Sequence, residues 1–354
     1  MNHASSEGAD SAQDRIDRYA KQVRFAALGQ EGQLRLENAS ALIVGCGALG
    51  SVTANTLARA GVGRLRIVDR DFVELDNLQR QVLYTEADVG QPKAIVASEK
   101  IAAINGQVSC EPIVTDVDFT NIESLIESCD VVLDGTDNFE TRFLINDACV
   151  KRGVPWVYGG CLGAEGQTMT IRPGSSACLH CLMLDGPPPP GTSATCDSAG
   201  ILASIINVIA SIQSLEAIKL LSGNADAASD QLQVFDLWGN RHQSIALAGL
   251  RERVDCPTCQ QGQFRWLSGD LAGQTAVLCG RNAVQLSFPA RPPLDLARLA
   301  EQLLPLGRVE RSPFLLRFEV DSFKITLFPD SRAIINGTED VALAKRLYAQ
   351  YIGA

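Results

Sequence analysis

Six residues early in the chain have the spacing of a phosphate-binding loop. They follow the apolar run Ala41–Val44, read G-x-G-x-x-G, and are Gly45, Cys46, Gly47, Ala48, Leu49 and Gly50. Glycines permit a tight turn and close approach of the backbone to phosphate, and the start of a following helix favours negative charge. Asp69 lies about 20 residues farther on, where an acidic side chain can hydrogen-bond ribose hydroxyls. The pattern predicts a nucleotide site, and the loop alone fits either NAD or ATP.

Polar residues beyond Asp69 favour a triphosphate. They are Asp71, Asn77, Arg80, Gln81 and Lys93. Arg80 and Lys93 can neutralise charge on the β- and γ-phosphates and on departing pyrophosphate, a role that a dinucleotide enzyme does not need. Asp137, in D-G-T-D-N (Asp134 to Asn138), follows another apolar run, and a carboxylate at that sheet edge suits Mg²⁺. We therefore expect ATP and Mg²⁺ in place of NAD.

Two Cys-x-x-Cys pairs form a second candidate site. The chain has eleven cysteines, and the paired ones are Cys178, Cys181, Cys256 and Cys259. Four thiolates in tetrahedral geometry predict a structural Zn²⁺ site, and reduced cysteines without a metal are the alternative. His180, inside the first pair, is expected to be solvent-exposed and not a ligand.

Cys196 has a different setting. It ends the proline-rich segment 185–196 at a predicted helix start, where a helix N-terminus lowers a thiol pKa and supplies thiolate. We expect a catalytic role for Cys196, with a bystander in the loop as the alternative. Small core residues are the expectation for the remaining cysteines before it, which are Cys46, Cys110, Cys129, Cys149 and Cys161.

Alternating strands and helices must position these residues. Predicted strands cover 41–44, 65–68, 108–114, 131–133 and 154–158, and predicted helices cover 16–36, 48–60, 93–104, 122–128 and 139–151. The alternation predicts an α/β fold with a doubly wound, largely parallel, Rossmann-like sheet. Residues 167–171 are expected to add an antiparallel extension, and 200–221 a buried or interface helix in preference to a membrane span.

The length and composition predict more than one domain. We expect a disordered tail at 1–14, an ATP-binding domain at 15–262, a linker at 263–275 and a small α+β domain at 276–354. The net charge of −10 argues against broad binding to nucleic acid or an anionic membrane. Residues 1–14 contain no apolar run, so a cytoplasmic location is expected.

Six motifs in order give the chain a family resemblance. They are R-Y-x-K-Q at 18–22, G-x-G-A-L-G at 45–50, Asp69, N-L-x-R-Q at 77–81, G-Q-x-K at 90–93 and T-D-N at 136–138. This set resembles the ThiF/MoeB-type adenylyltransferases, relatives of the ubiquitin-activating enzymes, over residues 18 to about 260. The resemblance implies ATP-dependent adenylation of the C-terminal glycine carboxylate of a ubiquitin-like sulfur carrier ending in Gly-Gly, with release of pyrophosphate, toward its thiocarboxylate.

The resemblance also assigns roles. It implies that Asp69 holds the ribose, that Asn77, Arg80 and Lys93 bind phosphates, and that Asp137 holds Mg²⁺. It further implies a homodimer in which a basic residue, here Lys21 in place of the family's Arg, reaches the partner subunit's site; Lys keeps the charge but loses the bidentate fork. Gln81 and Asn138 belong to the same motifs, and Cys196 matches a cysteine that can link to the activated carrier or transfer sulfur, with an external persulfide as donor.

Other readings of the function stay open. The enzyme could activate another carboxylate, such as a tRNA-linked threonylcarbamoyl group or a peptide terminus, or a ubiquitin-like modifier for protein conjugation. An NAD-dependent dehydrogenase and a non-catalytic subunit of a heterodimeric activator are disfavoured by Arg80, Lys93 and Asp137. Cys279 lies too near the start of the last domain for a rhodanese, so a non-rhodanese domain is expected there. The pathway of the carrier is left open.

Overall fold

The computed structural model describes residues 17–187, 199–271, 275–278, 282–286, 288 and 293–353, with the backbone alone at 275–278. Cys196 and Cys279 lie outside the described residues. The chain divides into two compact units, a larger one containing the described residues 17–187 and 201–270, and a smaller one containing residues 199–200 and those from Leu271 onward.

The larger unit is built on an eight-stranded sheet. Its strands are β1 (Ser40–Val44), β2 (Arg64–Val68), β3 (Ser109–Ile113), β4 (Val131–Asp134), β5 (Trp156–Leu162), β6 (Glu165–Ile171), β7 (Gln231–Asp236) and β8 (Arg241–Ala246). Their order across the sheet is β3-β2-β1-β4-β5-β6-β7-β8. The first five are parallel, and β6 to β8 add antiparallel pairs.

Helices cover this sheet. They are α1 (Ala20–Val23), α2 (Gly29–Asn38), α3 (Ala48–Ala60), α4 (Lys93–Ile104), α5 (Ile122–Ile126), α6 (Phe139–Arg152), α7 (Leu179–Leu182), α8 (Ala203–Leu221) and α9 (Leu250–Arg253). Successive residues of β1 enter opposite cores: Ala41 and Ile43 pack with α3, α4 and α8, whereas Leu42 and Val44 pack with α5 and α6. The central strand is buried on both faces, as expected for a parallel sheet.

The strand order reverses beside β1. From β1 the chain moves outward to β2 and β3, and then crosses to β4 on the other side. In an open α/β sheet, ligands bind at the carboxyl ends of the strands where the order reverses. The fold therefore places the residues after β1 and β4 at the expected binding crevice.

The smaller unit has a six-stranded antiparallel sheet with two helices. Its elements are β9 (Thr275–Leu278), β10 (Ala283–Leu286), α10 (Leu296–Leu303), β11 (Arg308–Arg311), β12 (Leu316–Val320), β13 (Phe323–Leu327), β14 (Ala333–Asn336) and α11 (Val341–Tyr351). The strand order is β11-β12-β13-β14-β10-β9. Leucines of α10 and Tyr348 of α11 share a core with Phe318 and Ile325 of the sheet. The predicted fold class, a doubly wound sheet with an antiparallel extension and an additional α+β unit, is confirmed.

Several boundaries differ from the sequence-based expectation. The helix expected over 16–36 is two helices, α1 and α2, separated by residues 24–28, and α2 begins at Gly29, which has φ +61°. Strands β7, β8, β10 and β11 were not predicted. By length and composition α8 is apolar enough to cross a membrane, and half of its 18-residue window is buried within the protein. That buried half packs on α3, β5 and β6.

Candidate nucleotide and metal sites

The G-x-G-x-x-G segment after β1 admits only glycine at two positions, one in the turn and one in the first turn of α3. Gly45 has φ +85°, and a Cβ there would lie 2.7 Å from the carbonyl oxygen of Gly135. A Cβ on Gly50 would overlap the carbonyl oxygen of Gly45. The turn after β1 and the turn after β4 therefore meet backbone to backbone, and this contact draws the predicted phosphate loop and the segment containing Asp137 together.

Gly47 leaves the turn open. A Cβ at this position would have no neighbour closer than Nε2 of Gln81, at 3.8 Å. Gln81 is buried, and its Oε1 accepts no hydrogen bond from the described residues. An open turn at a helix N-terminus beside a buried side-chain amide fits a ligand with both anionic and polar groups, such as a nucleotide.

The open turn gives a first prediction. We expect Gly47→Ala to fold normally and to weaken ATP binding by about tenfold, or 1.4 kcal/mol, because the methyl group occupies the space next to the phosphates. Gly50→Ala should instead lower the thermal midpoint, because its Cβ overlaps Gly45. Calorimetric titration with ATP and thermal unfolding of both variants separate the effects. Unchanged ATP affinity in Gly47→Ala would exclude the turn from the binding site.

Asp69 secures the glycine turn. One carboxylate oxygen accepts from the backbone N–H of Cys46 at 2.6 Å, and the other accepts from that of Asp71 at 2.6 Å. Burial raises the pKa of Asp69, and the nearby charge of Lys93 opposes the rise. Tyr84 braces the same turn by donating to the carbonyl oxygen of Cys46 at 2.8 Å. The acid at the end of β2 thus touches the loop through the backbone.

Charged residues continue outward from Asp69. The Lys93 ammonium lies 3.5 Å from a carboxylate oxygen of Asp71 and is almost fully buried. Arg70 donates to both carboxylate oxygens of Asp116 at 2.9 Å and has its Nε 3.7 Å from Asp71. Lys93 is therefore held near the glycine turn by a carboxylate partner that an anionic phosphate could replace.

Asp137 lies at the carboxyl end of β4, as its motif predicts. It is exposed, and its charge helps to raise the pKa of both Arg70 and Arg142 against the lowering effect of their burial. The next residue, Asn138, caps α6 by accepting from the backbone N–H of Thr141 at 2.8 Å. An exposed carboxylate at this edge has the chemistry and access that Mg²⁺ requires.

Other predicted residues make contacts within their own segment. Asn77 is buried and donates to Asp76 at 2.9 Å, and its Oδ1 accepts from the Glu74 N–H. Arg80 donates to the carbonyl oxygen of Asp76 at 2.8 Å. Lys21 is exposed on α1. Within one chain the structure therefore brings the glycine turn, Asp69, Asp71, Gln81 and Lys93 together.

Sequence reasoning missed a buried ion pair behind Asp137. Arg142 of α6 donates from Nε to Asp134 of β4 at 3.0 Å, and both side chains are almost fully buried. Asp134 stands in the quoted D-G-T-D-N motif, but the motif gave it no role. The available signal was Arg142 itself, a charged residue at a core position between Phe139 and Phe143 on the predicted helix.

Four sulfur atoms form the second site. The Sγ atoms of Cys178, Cys181, Cys256 and Cys259 all lie within 4.8 Å of one another. Three of their separations are 3.8, 3.6 and 3.4 Å. A Zn–S bond of about 2.3 Å in tetrahedral geometry places sulfurs roughly 3.8 Å apart. The four cysteines thus fit the chemistry and the spacing of a zinc site.

His180 corrects an expectation. It was expected to be solvent-exposed, but it is 8% exposed. Its Nδ1 lies 2.9 Å from Oγ1 of Thr258, and that hydroxyl donates to Asp147 of α6 at 3.1 Å. Asp147 also accepts from the backbone N–H of Trp266 at 3.0 Å. His180 is buried because it ties the two Cys-x-x-Cys segments to α6.

The remaining cysteines before the proline-rich segment follow the core expectation in most cases. Cys46, Cys129 and Cys149 are buried, whereas Cys110 and Cys161 are partly exposed. Burial raises the pKa of Cys46 to about 12 and that of Cys110 to about 11. Such thiols stay protonated near neutral pH and are poor nucleophiles.

The fold and the glycine turn define a doubly wound α/β protein with a four-cysteine cluster. The chain belongs to the ThiF family, whose model matches residues 19–258. It is 45% identical to the sulfur carrier protein ThiS adenylyltransferase of Bacillus subtilis, over 95% of this chain and 99% of that one. It is 38% identical to the SAMP-activating enzyme E1 of Haloferax volcanii, over 70% of this chain and 90% of that one.

Another relative matches only in part. The adenylyltransferase and sulfurtransferase MOCS3 of Danio rerio is 40% identical over 70% of this chain and 53% of its own length. Among solved structures, E. coli MccB with ATP is similar in fold, with a TM-score of 0.60 and 23% identity over 69% of this chain and 74% of that one. The family resemblance and the enzyme class predicted from the motifs are therefore confirmed.

Proposed function

We propose that the chain adenylates the C-terminal glycine of a ubiquitin-like sulfur carrier of the ThiS type and releases pyrophosphate. The observation that carries the carrier class is the 45% identity with the Bacillus ThiS adenylyltransferase, which extends through both units of the chain. The match to MOCS3 covers 70% of this chain, less than the match to the ThiS adenylyltransferase. A carrier of another class, a peptide terminus or a conjugating modifier remains the second candidate.

The residues of the crevice have definite parts in this reaction. The glycine turn and the N-terminus of α3 bind phosphates, and Asp69 binds the ribose. Lys93 leaves Asp71 for phosphate, and Asn77, Arg80 and Gln81 provide further contacts to the nucleotide. Asp137, beside Asn138, holds Mg²⁺, which when bound neutralises phosphate charge. The carrier carboxylate then attacks the α-phosphorus and pyrophosphate leaves. Positioning of the two reactants and neutralisation of the phosphate charge lower the barrier to this step.

Two further features complete the proposal. The four cysteines hold one structural Zn²⁺, as their sulfur separations allow. The active species is a homodimer in which the exposed Lys21 of one protomer contributes to the site of its partner. The compartment in which the enzyme works is expected to be the cytoplasm.

Pyrophosphate exchange tests the function. Purified protein is mixed with ATP, Mg²⁺, labelled pyrophosphate and, in turn, ThiS-type and other carriers ending in Gly-Gly. We expect label to enter ATP only with a carrier, and fastest with the ThiS type. Equal exchange with every carrier would reject the assignment of carrier class, and no exchange with any of them would reject carrier adenylation.

Cys196 is proposed to act after adenylation. Adenylation needs a carboxylate, ATP and neutralised phosphates, and no thiol, whereas a thiolate can attack the acyl adenylate to form a thioester and release AMP. We expect Cys196→Ala to retain exchange within about twofold of the wild type, since a thiol makes no contribution to that step, and to lose or slow a thiol-sensitive covalent adduct with the carrier. Mass spectrometry with and without reductant measures the adduct.

The control for this prediction is Cys149→Ala, which removes a buried cysteine of α6 and should keep the adduct. A wild type without an adduct, together with an unchanged thiocarboxylate yield in Cys196→Ala, would contradict the role of Cys196. Sulfur would then pass directly from an external persulfide donor to the adenylate.

A further inference from the structure

The turn that presents Asp137 is anchored on both sides. On one side, Thr136 donates to Asp134 from its backbone N–H at 2.9 Å and from its hydroxyl at 2.7 Å. On the other side, Asn138 caps α6 through its side chain. Asp137 is the single residue between the two anchors, so the placement of its backbone depends on both.

Arg142 closes the first anchor. Its Nε donates to Asp134 at 3.0 Å, and its Nη2 donates to the carbonyl oxygen of Thr136 at 2.8 Å. The same Nη2 donates to the carbonyl oxygen of Gly159 on β5 at 3.0 Å. One guanidinium thus joins the end of β4, the turn after it and the neighbouring strand.

The environment of Arg142 keeps its guanidinium charged. Its guanidinium carbon lies 5.3 Å from the ring centres of both Phe139 and Tyr158. Burial acts to lower the pKa of Arg142, but the charge of Asp134 leads the effects that leave it raised. A buried ion pair adds little net stability, because desolvation offsets the attraction. Its clearest effect here is to hold the backbone of the turn in one geometry.

We propose that Arg142 is a positioning residue for the divalent cation at Asp137, acting through the carbonyl of Thr136 without touching the cation or ATP. This inference rests on the proposed function, since it assigns Mg²⁺ to Asp137. Lysine cannot replace arginine here, because one ammonium group cannot reproduce the planar fork that reaches Asp134 and both carbonyls.

The test measures cation binding directly. Arg142→Lys and wild-type protein are titrated with Mn²⁺ in the presence of the α,β-methylene analogue of ATP, and free Mn²⁺ is followed by electron paramagnetic resonance. We expect the variant to bind Mn²⁺ about tenfold more weakly, as loss of charge-assisted hydrogen bonds in the anchor implies. Affinity for the analogue without divalent cation should be unchanged. Exchange activity should recover partly at high Mg²⁺.

A matched control comes from the same helix. Arg152 of α6 is exposed and pairs with Glu123 at 2.9 Å, so Arg152→Lys should bind Mn²⁺ as the wild type does. Equal Mn²⁺ affinity in Arg142→Lys and wild type would overturn the proposal, even if the variant unfolds at a lower temperature. A lower thermal midpoint alone would show a structural role only.

A second variant covers the case in which Arg142→Lys does not fold. Thr136→Val keeps Arg142 and removes only the hydroxyl bond to the Asp134 carboxylate, so Mn²⁺ binding should weaken by about threefold, a small loss because the Thr136 N–H still donates to the same oxygen. Unchanged binding would again overturn the proposal. The Mn²⁺ measurement needs no carrier. A wild type that binds Mn²⁺ with the analogue but exchanges pyrophosphate with no carrier would therefore contradict the proposed function alone.

Discussion

Asp137→Ala is expected to lower ATP–pyrophosphate exchange by about 10³-fold, the scale on which single electrostatic stabilisers of a transition state act. Asp137 is the exposed carboxylate at the carboxyl end of β4, next to the turn that touches Gly45. Without it, the phosphate charge is neutralised less completely when the carrier carboxylate attacks. The fold should be intact, because the side chain is exposed and the anchors at Thr136 and Asn138 remain.

The measurement for this prediction is the exchange rate with saturating carrier, together with thermal unfolding. Glu140→Ala is the matched control, since Glu140 is an exposed acid in the first turn of α6 and should leave exchange near the wild-type rate. An Asp137→Ala protein that exchanges at that rate would remove Asp137 from the cation site. The positioning role of Arg142 would fall with it.

The central elements of the larger unit were predictable because their signals are local. The helices α3 and α4 match their predicted bounds, 48–60 and 93–104, residue for residue. The helix α3 follows the apolar run of β1 and its glycine turn, and α4 has buried residues at helical spacing, at Ala94, Ala97 and Ile101. The outer strands gave no such signal: every residue of β8 is exposed, and every residue of β7 is partly buried. Without a buried alternation, a strand at a sheet edge resembles a loop in the sequence.

The residues of the candidate site also divide into those that the sequence predicts and those that only the fold reveals. The glycine turn, Asp69 and the paired cysteines carry their spacing in the sequence, and so they could be proposed from it. The contacts of Arg142 and Tyr84 could not, because their partners are set by the fold: Arg142 signals only a charge at a core position, and Tyr84 meets Cys46, 38 residues away, through a backbone carbonyl. Any residue type offers a backbone carbonyl, so a contact to the backbone cannot be predicted from the partner's side chain. The burial of His180 was missed for a related reason. Its partner Thr258 is 78 residues away, and Asp147, which Thr258 contacts, lies on α6.

Replacing one cysteine of the four-sulfur cluster should have the largest effect on stability. Structural zinc contributes its binding free energy to folding, roughly 10–16 kcal/mol in small zinc domains at neutral pH, so loss of a ligand should cost at least a few kcal/mol. The cluster joins segments 78 residues apart, and both are tied to α6 through Asp147 and Thr258. Loosening the metal therefore also loosens the helix that carries Arg142.

The variant for this prediction is Cys256→Ser, studied by metal analysis and urea unfolding. Wild-type protein should contain one equivalent of Zn²⁺, and the variant should contain little and unfold at a lower urea concentration. Cys149→Ala is the control, because Cys149 is buried in the same core but is not part of the cluster; it should keep the metal and lose about 1 kcal/mol or less through its small cavity. A wild type with less than half an equivalent of zinc and undiminished stability would mean that the four cysteines are held by packing alone, because the fold would then not depend on the metal.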